Sequence, residues 1–262
     1  MRLTPMYAYA EELWQTLFDY LCMRGKPVRF SWVDGNDRKV TDERKLYKNS
    51  EEFYLHTDVY LYHDIGFFIE GWKTPYYDIL GQVGGEESLS LLDFGCGSGY
   101  DGLLLRHSNF SVSFADVQSS AMAYLIYRLA RSDIPSPTVY ILPNAQSIIP
   151  RHDVVWCIDV LEHLAPVNHE EFFLQLQTYG ATVMCTLVKD ISADSLVHYP
   201  VDVEGLTALA KSQGPIWWKD FYLKSDGSYA RLLVSGERVA RIQEPSGLDI
   251  ETSSLDGLSL YS

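Results

Sequence analysis

The stretch Leu91-Leu92-Asp93-Phe94-Gly95-Cys96-Gly97-Ser98-Gly99 decides how the rest of the chain is read. An apolar run ends in an acid, and glycines at alternate positions then lead into Tyr100–His107, which reads as a helix. Glycine at such positions permits a tight turn and lets a bulky ligand come close to the backbone. The surroundings add weight. Ser88–Phe94 reads as a strand, and Asp116 stands near the end of the next strand-like run, Phe110–Val117. A carboxylate there, 23 residues after Asp93, can accept hydrogen bonds from both hydroxyls of a ribose.

Further along, Thr138–Leu142, Asp153–Val160 and Ala181–Val188 read as strands separated by helical stretches. Ser119 or Ser120 caps one helix, with Met122, Leu125, Ile126 and Leu129 on its apolar face. Asn168 and Glu171 form an approximate capping box before Phe172, Phe173 and Leu176, and Leu206, Leu209 and Ala210 mark another helix. Strands without polar alternation, separated by helices, imply a parallel sheet covered on both faces. Ile216–Leu223 and Tyr229–Val234, joined across Ser225-Asp226-Gly227-Ser228, then read as an antiparallel hairpin.

The first 86 residues are aromatic-rich and mostly helical in pattern. Trp14, Leu17, Phe18 and Leu21 make an amphipathic stripe, and Val33-Asp34-Gly35-Asn36-Asp37 reads as a turn. Phe53 to Phe68 carries six aromatics, and Gly81-Gln82-Val83-Gly84-Gly85 reads as the joint to the next zone. The expected architecture is therefore α/β: a Rossmann-like, seven-stranded, mostly parallel sheet with a C-terminal antiparallel hairpin and an N-terminal helical cap. Its expected zones are a cap over 1–86, the sheet domain over 87–236, and a polar, aperiodic tail over 237–262.

The 262 residues hold 21 Lys+Arg against 35 Asp+Glu, a formal charge of −14, and 47% are apolar. That is an ordinary folded-domain composition, which excludes disorder throughout. No window approaches ~18 consecutive apolar residues, so neither a membrane span nor a membrane partner is expected. The opening Met1-Arg2-Leu3-Thr4-Pro5 leads into no apolar signal core. Cys22, Cys96, Cys157 and Cys185 show no metal-like spacing, so no metal site is expected and a cytoplasmic, disulfide-free protein is the economical reading. The acidic excess argues against a nucleic-acid partner.

The glycine stretch resembles motif I of the class I S-adenosylmethionine-dependent methyltransferases. Asp153-Val154-Val155-Trp156-Cys157-Ile158-Asp159-Val160-Leu161-Glu162-His163-Leu164 resembles their fourth-strand signature. The resemblance covers residues 88–236 and is most specific at 91–99 and 153–164. It implies S-adenosyl-L-methionine as cofactor, S-adenosyl-L-homocysteine as product, and methyl transfer to an oxygen or nitrogen of a small molecule. The acceptor would be a metabolite, sugar or peptide. The implied cofactor pocket comprises Asp93, Gly95, Cys96, Gly97, Gly99, Tyr100, Asp116, Val117, Asn144, Ala145 and Asp159. Asp116 would hold the ribose. Asn144 and Ala145 would face the adenine, although the family often has an acid where Asn144 stands.

Two histidines are candidate bases. His163 follows the fourth strand on the side where ligands bind in open α/β sheets, and its plainer reading is a turn-stabilising residue. His198, beside Tyr199 and Pro200, can reach the same mouth or serve structure alone. Glu162 pairs with His163, binds a metal in some relatives, or is a solvated or capping acid. Tyr100 packs along the methionine chain in this reading, and Asp101 complements a helix N-terminus. The series Tyr54, Tyr60, Tyr62, His63, Phe67, Phe68, Trp72, Tyr76 and Tyr77 reads mainly as cap core, with a few members walling an acceptor pocket. At most one of Trp217 and Trp218 faces a ligand, because strand neighbours point to opposite faces.

Two other functions compete. One is a non-catalytic cofactor-binding or regulatory module on the same fold. The other is a NAD-dependent oxidoreductase, since Gly97-Ser98-Gly99-Tyr100-Asp101-Gly102 satisfies GxGxxG. In the second case Gly102 would fall inside the helix, and the Asp93 carboxylate would sit awkwardly near a pyrophosphate.

Overall fold

The computed structural model describes residues 10–29, 42–48, 50–132, 137–189, 198–221 and 228–243, and the backbone of 247–248. Its strands are β1 (Leu89–Phe94), β2 (Phe110–Val117), β3 (Val139–Leu142), β4 (His152–Cys157), β5 (Gly180–Lys189), β6 (Ile216–Phe221), β7 (Tyr229–Gly236) and β8 (Gly247–Leu248). They form one sheet in the order β3-β2-β1-β4-β5-β7-β6-β8. β1 to β5 run parallel, and β7 inserts between β5 and β6, antiparallel to both. The expected seven strands gain an eighth, because two residues of the tail pair in parallel with β6. The hairpin loop at 222–227 and the turn at 33–37 lie outside the described residues.

The sheet sorts its apolar residues by alternation. Leu91, Val154, Trp156 and Met184 face one layer, filled by α4 (Thr74–Gly84) and α6 (Ser120–Arg131). Leu92, Val155, Cys157 and Val183 face the other, covered by α7 (His169–Tyr179) and α8 (Val203–Gln213). Each large side chain so buried contributes about 1.5–3 kcal/mol. A third cluster joins α1 (Ala10–Met23) and α3 (Val59–Glu70) through Leu17, Tyr20, Leu21, Leu61, Tyr62 and Ile65. These N-terminal helices pack against Tyr100 and Tyr124, while α4 lies on the face of the sheet. No helix among the described residues is long and apolar enough to cross a membrane, and all four cysteines are free.

Several local expectations are corrected. Gly81 to Gly84 belong to α4 instead of a joint, and a Cβ on Gly84 would meet the Phe110 ring at 2.9 Å. Close packing explains that glycine. In α6 the Ser119 hydroxyl accepts from the Met122 N–H, but Ile126 is 47% exposed and Tyr124 takes the inner place. Asn168 precedes α7 without a side-chain capping bond. β4 stops at Cys157 because Asp159 turns to φ 59°, outside the extended region.

Candidate active site

The strand order reverses between β1 and β4, and ligands in open α/β sheets bind at the carboxyl ends of strands there. The glycine turn lies at this point, leading into α5 (Tyr100–Leu105). Gly95 and Gly99 both have φ 72°, and a Cβ on either would overlap a neighbour, Val160 in one case and Leu125 in the other. Only glycine lets the turn lie this close to the β4 tip and α6. The Gly97 N–H donates to Asp116 Oδ2 at 2.7 Å, and the Val117 N–H donates to its Oδ1 at 2.6 Å. Burial pushes the Asp116 carboxyl up to about 6, against those two bonds. Asp93, 3% exposed, accepts from the Gly102 N–H at 3.0 Å at the start of α5. Burial, then the Asp101 charge, holds its carboxyl well above the ordinary range.

The other expected pocket residues divide. Cys96 packs half-buried against the core, and burial pushes its thiol up. Val117 is 38% exposed, and Leu142 is its register partner on β3, so Pro143, Asn144 and Ala145 step out beyond it. Asn144 is exposed and Ala145 half-buried. Asp159 donates its N–H to Thr186 Oγ1 at 2.7 Å and turns its carboxylate toward the crevice, where Oδ2 meets Lys73 at 3.4 Å. Tyr100 is a correction. Its ring is buried in the cap cluster, 3.9 Å from the Arg128 guanidinium and 5.3 Å from the Phe68 ring, not laid along the crevice.

Residues from the cap complete the site, and Lys73 was not foreseen. Its ammonium meets Asp101 Oδ2 at 2.8 Å, and Asp101 also accepts from the Tyr77 hydroxyl and the Trp156 indole N–H. Asp101 therefore anchors Lys73 as well as complementing a helix start. Burial alone would lower the lysine's proton affinity, but the Asp101 and Asp159 charges outweigh it and hold it above the usual range. From α3, Asp64 accepts from the Ser98 hydroxyl at 2.6 Å. A signal for Lys73 existed: it is the only lysine or arginine between Lys48 and Arg106.

At the β4 end, the Tyr54 hydroxyl, from α2 (Ser50–His56), is hydrogen-bonded to His163 Nδ1. The Tyr60 hydroxyl donates to Tyr54 at 3.0 Å, and the His198 ring centroid lies 5.0 Å from that of His163. The Tyr199 N–H donates to the Glu162 carbonyl at 2.6 Å, which ties the His198 segment to this turn. The structure thus brings both candidate bases together.

Glu162 is neither solvated nor a cap. It is 3% exposed, its Oε2 has no hydrogen-bond partner, and burial, then the Asp159 charge, pushes the carboxyl up to about 8. The aromatic series splits as well. Tyr62, Tyr76 and Tyr77 are core, whereas Tyr54, Tyr60, His63, Phe67 and Trp72 are half-buried. Trp217 is core and Trp218 stacks under Arg231 at 4.0 Å, so neither borders the crevice. Among the described residues no group of three or more His, Cys, Asp or Glu is placed to hold a metal. A cavity of about 530 Å³ lies elsewhere, lined by Gln146, Ile149, Gln175 and Tyr179.

No family model matches the chain. A ubiquinone biosynthesis O-methyltransferase from Rickettsia bellii is 31% identical over 116 residues, 43% of each chain. The chain thus aligns with less than half the length of that relative. Magnesium protoporphyrin IX methyltransferase from Synechocystis, solved with S-adenosylmethionine, superposes with a TM-score of 0.51 at 14% identity. That match covers 65% of this chain and 81% of the other. Haemonchus contortus phosphoethanolamine N-methyltransferase 2, solved with the same cofactor, gives 0.56 at 13% identity, over 73% and 61% of the two chains. With the sheet order described above, these likenesses show that the chain has the Rossmann-like fold of the class I S-adenosylmethionine-dependent methyltransferases.

Proposed function

We propose that this chain, built on the class I methyltransferase fold, binds S-adenosylmethionine between the tips of β1 and β4 and methylates an oxygen or nitrogen of a small-molecule acceptor. The observation that carries the proposal is the Gly97 N–H and the Asp116 carboxylate, joined at 2.7 Å at neighbouring strand tips. A carboxylate there can accept from both ribose hydroxyls while the glycine turn admits the ligand against the backbone. Exposed Val117 offers apolar surface to the adenine, with Asn144 and Ala145 beside it. Asp101 and Asp159 suit an ammonium and Lys73 suits a carboxylate, the two charged ends of an amino acid. Their acidic surroundings match a ligand of net positive charge.

When bound, the cofactor supplies an electrophilic methyl group on a sulfonium. The chain's own task is to orient an acceptor atom against it, and orientation of this kind is worth on the order of several kcal/mol. His163 and His198 are the proposed catalytic residues. With Nδ1 held by Tyr54, the His163 ring is fixed in position to take a proton from a hydroxyl or amine. The competing dinucleotide reading is disfavoured because the Asp93 carboxylate already occupies the start of α5, where a pyrophosphate would have to bind. The proposed partner is a small molecule, because a chain of formal charge −14 is poorly suited to nucleic acid. Four free thiols support a cytoplasmic setting.

Incubation with methyl-labelled cofactor and a fractionated small-molecule extract tests the proposal. Label should enter a small molecule with wild type and not with Asp116→Ala. Label found only in nucleic acid, or in nothing while the cofactor is bound, would overturn it.

A further inference from the structure

We infer that Glu162 anchors the methyl acceptor, and that the acceptor presents a protonated amine to it; the inference rests on the cofactor site proposed above. Six carboxyls gather around the crevice: Asp64, Asp93, Asp101, Asp116, Asp159 and Glu162. Five of them have donors from other residues, whereas the Glu162 carboxyl meets only its own backbone N–H. Asp64 has the Ser98 hydroxyl, Asp93 the Gly102 N–H, and Asp116 the Gly97 and Val117 N–H groups. Asp101 and Asp159 share Lys73, the only lysine or arginine ion-paired with any of the six among the described residues. Glu162 Oε2 alone has no partner, although the residue is 3% exposed. Buried polar atoms are almost always satisfied, and an exception in a ligand crevice marks where a ligand's donor belongs.

The surroundings say what kind of donor. Asp159 and Lys73 face Glu162 from the crevice, the Tyr54 hydroxyl from α2, and the Cys157 and Cys185 thiols from the strands beneath. Burial, then the Asp159 charge, pushes the Glu162 carboxyl up to about 8, so it holds a proton readily while no cation is beside it, and Lys73 is paired with Asp101 and Asp159. A hydroxyl would supply a hydrogen bond but leave two carboxylates, Asp101 and Asp159, facing the single Lys73 cation. An ammonium supplies both, and the neighbouring Tyr54 and Tyr60 rings, stacked at 5.1 Å, favour a cation further. Binding the ammonium ionises Glu162, whose proton goes to solvent. The proton that the nitrogen must then shed before it can act as a nucleophile passes to His163, the base proposed above, leaving a neutral amine beside the Glu162 carboxylate and an imidazolium. The names of the compared proteins include both an O- and an N-methyltransferase and do not choose between the two.

Calorimetry on the full chain with saturating S-adenosylhomocysteine tests the inference, using matched probes: 2-phenylethylamine against 2-phenylethanol, and hexylamine against 1-hexanol. At pH 7 the amine of at least one pair should bind at least tenfold tighter than its alcohol. Its heat should vary with the buffer's ionisation enthalpy in the sense of proton release. Glu162→Gln should abolish both effects and leave S-adenosylhomocysteine affinity within twofold. Alcohols bound as well as amines, a preference that survives Glu162→Gln, or neither probe class bound to the loaded protein would each overturn it. If S-adenosylhomocysteine itself fails to bind wild type, the cofactor proposal fails first and this inference falls with it.

Discussion

On the sheet side of the crevice the polar groups are backbone N–H donors and short acids at the strand tips, beside turns at Gly95 and Gly99 that no other residue adopts without strain. On the cap side they are the ends of long side chains, Tyr54, Asp64 and Lys73, held only by what they touch. The first wall exists as soon as the sheet does. The second exists only when three helices have docked, so it is the wall that can vary without loss of the fold.

The largest expected effect breaks the first wall. Gly95→Val adds left-handed strain to an overlap with Val160, and should cost roughly 2–5 kcal/mol in a urea titration. A cost near zero would mean that the turn is not rigid. Next, Lys73→Met leaves Asp101 and Asp159 without their cation. It should weaken S-adenosylhomocysteine at least tenfold and leave 5′-methylthioadenosine, which lacks the amino-acid end, unchanged. Equal losses for both ligands would place Lys73 outside the methionine site.

A third expectation follows from the Asp116 carboxyl, raised to about 6. An acid accepts from ribose hydroxyls best when ionised, so affinity should be level above pH 6 and fall by up to tenfold per unit below it. The same raised value acts oppositely on folding: the native state holds the proton more tightly, so this group destabilises the fold as pH rises through 4 to 6 and helps it below. Comparing the S-adenosylhomocysteine pH profile of wild type with that of Asp116→Asn should remove the step. The smallest effect is Ser98→Ala. Loss of the donor to Asp64 should cost about 1 kcal/mol and speed hydrogen exchange in α3, not in β1.

Legibility in the sequence follows the same division. The glycine turn, Asp116 and the strands around them are readable because backbone conformation dictates residue type, and alternation dictates which face is buried. Lys73 stands out in the sequence only as the lone lysine or arginine between Lys48 and Arg106, and its role is not readable, since Asp101 and Asp159 become its neighbours only when α4 packs on the sheet. Glu162 looks like a surface acid beside His163, and its burial comes from tertiary packing that no local pattern records. Tyr100 is misread for a rotational reason: the first turn of α5 points it at Phe68, Tyr124 and Arg128. The Gly81–Gly85 run reads as a break, but Gly81 to Gly84 lie within α4, and Gly84 serves close packing against Phe110.

The most direct measurement is a calorimetric titration of the whole chain with S-adenosylhomocysteine and, separately, with NADH. The account requires one-to-one binding of S-adenosylhomocysteine in the micromolar range, lost on Asp116→Ala, and no heat from NADH. Binding of NADH instead, or S-adenosylhomocysteine binding indifferent to Asp116, would contradict it.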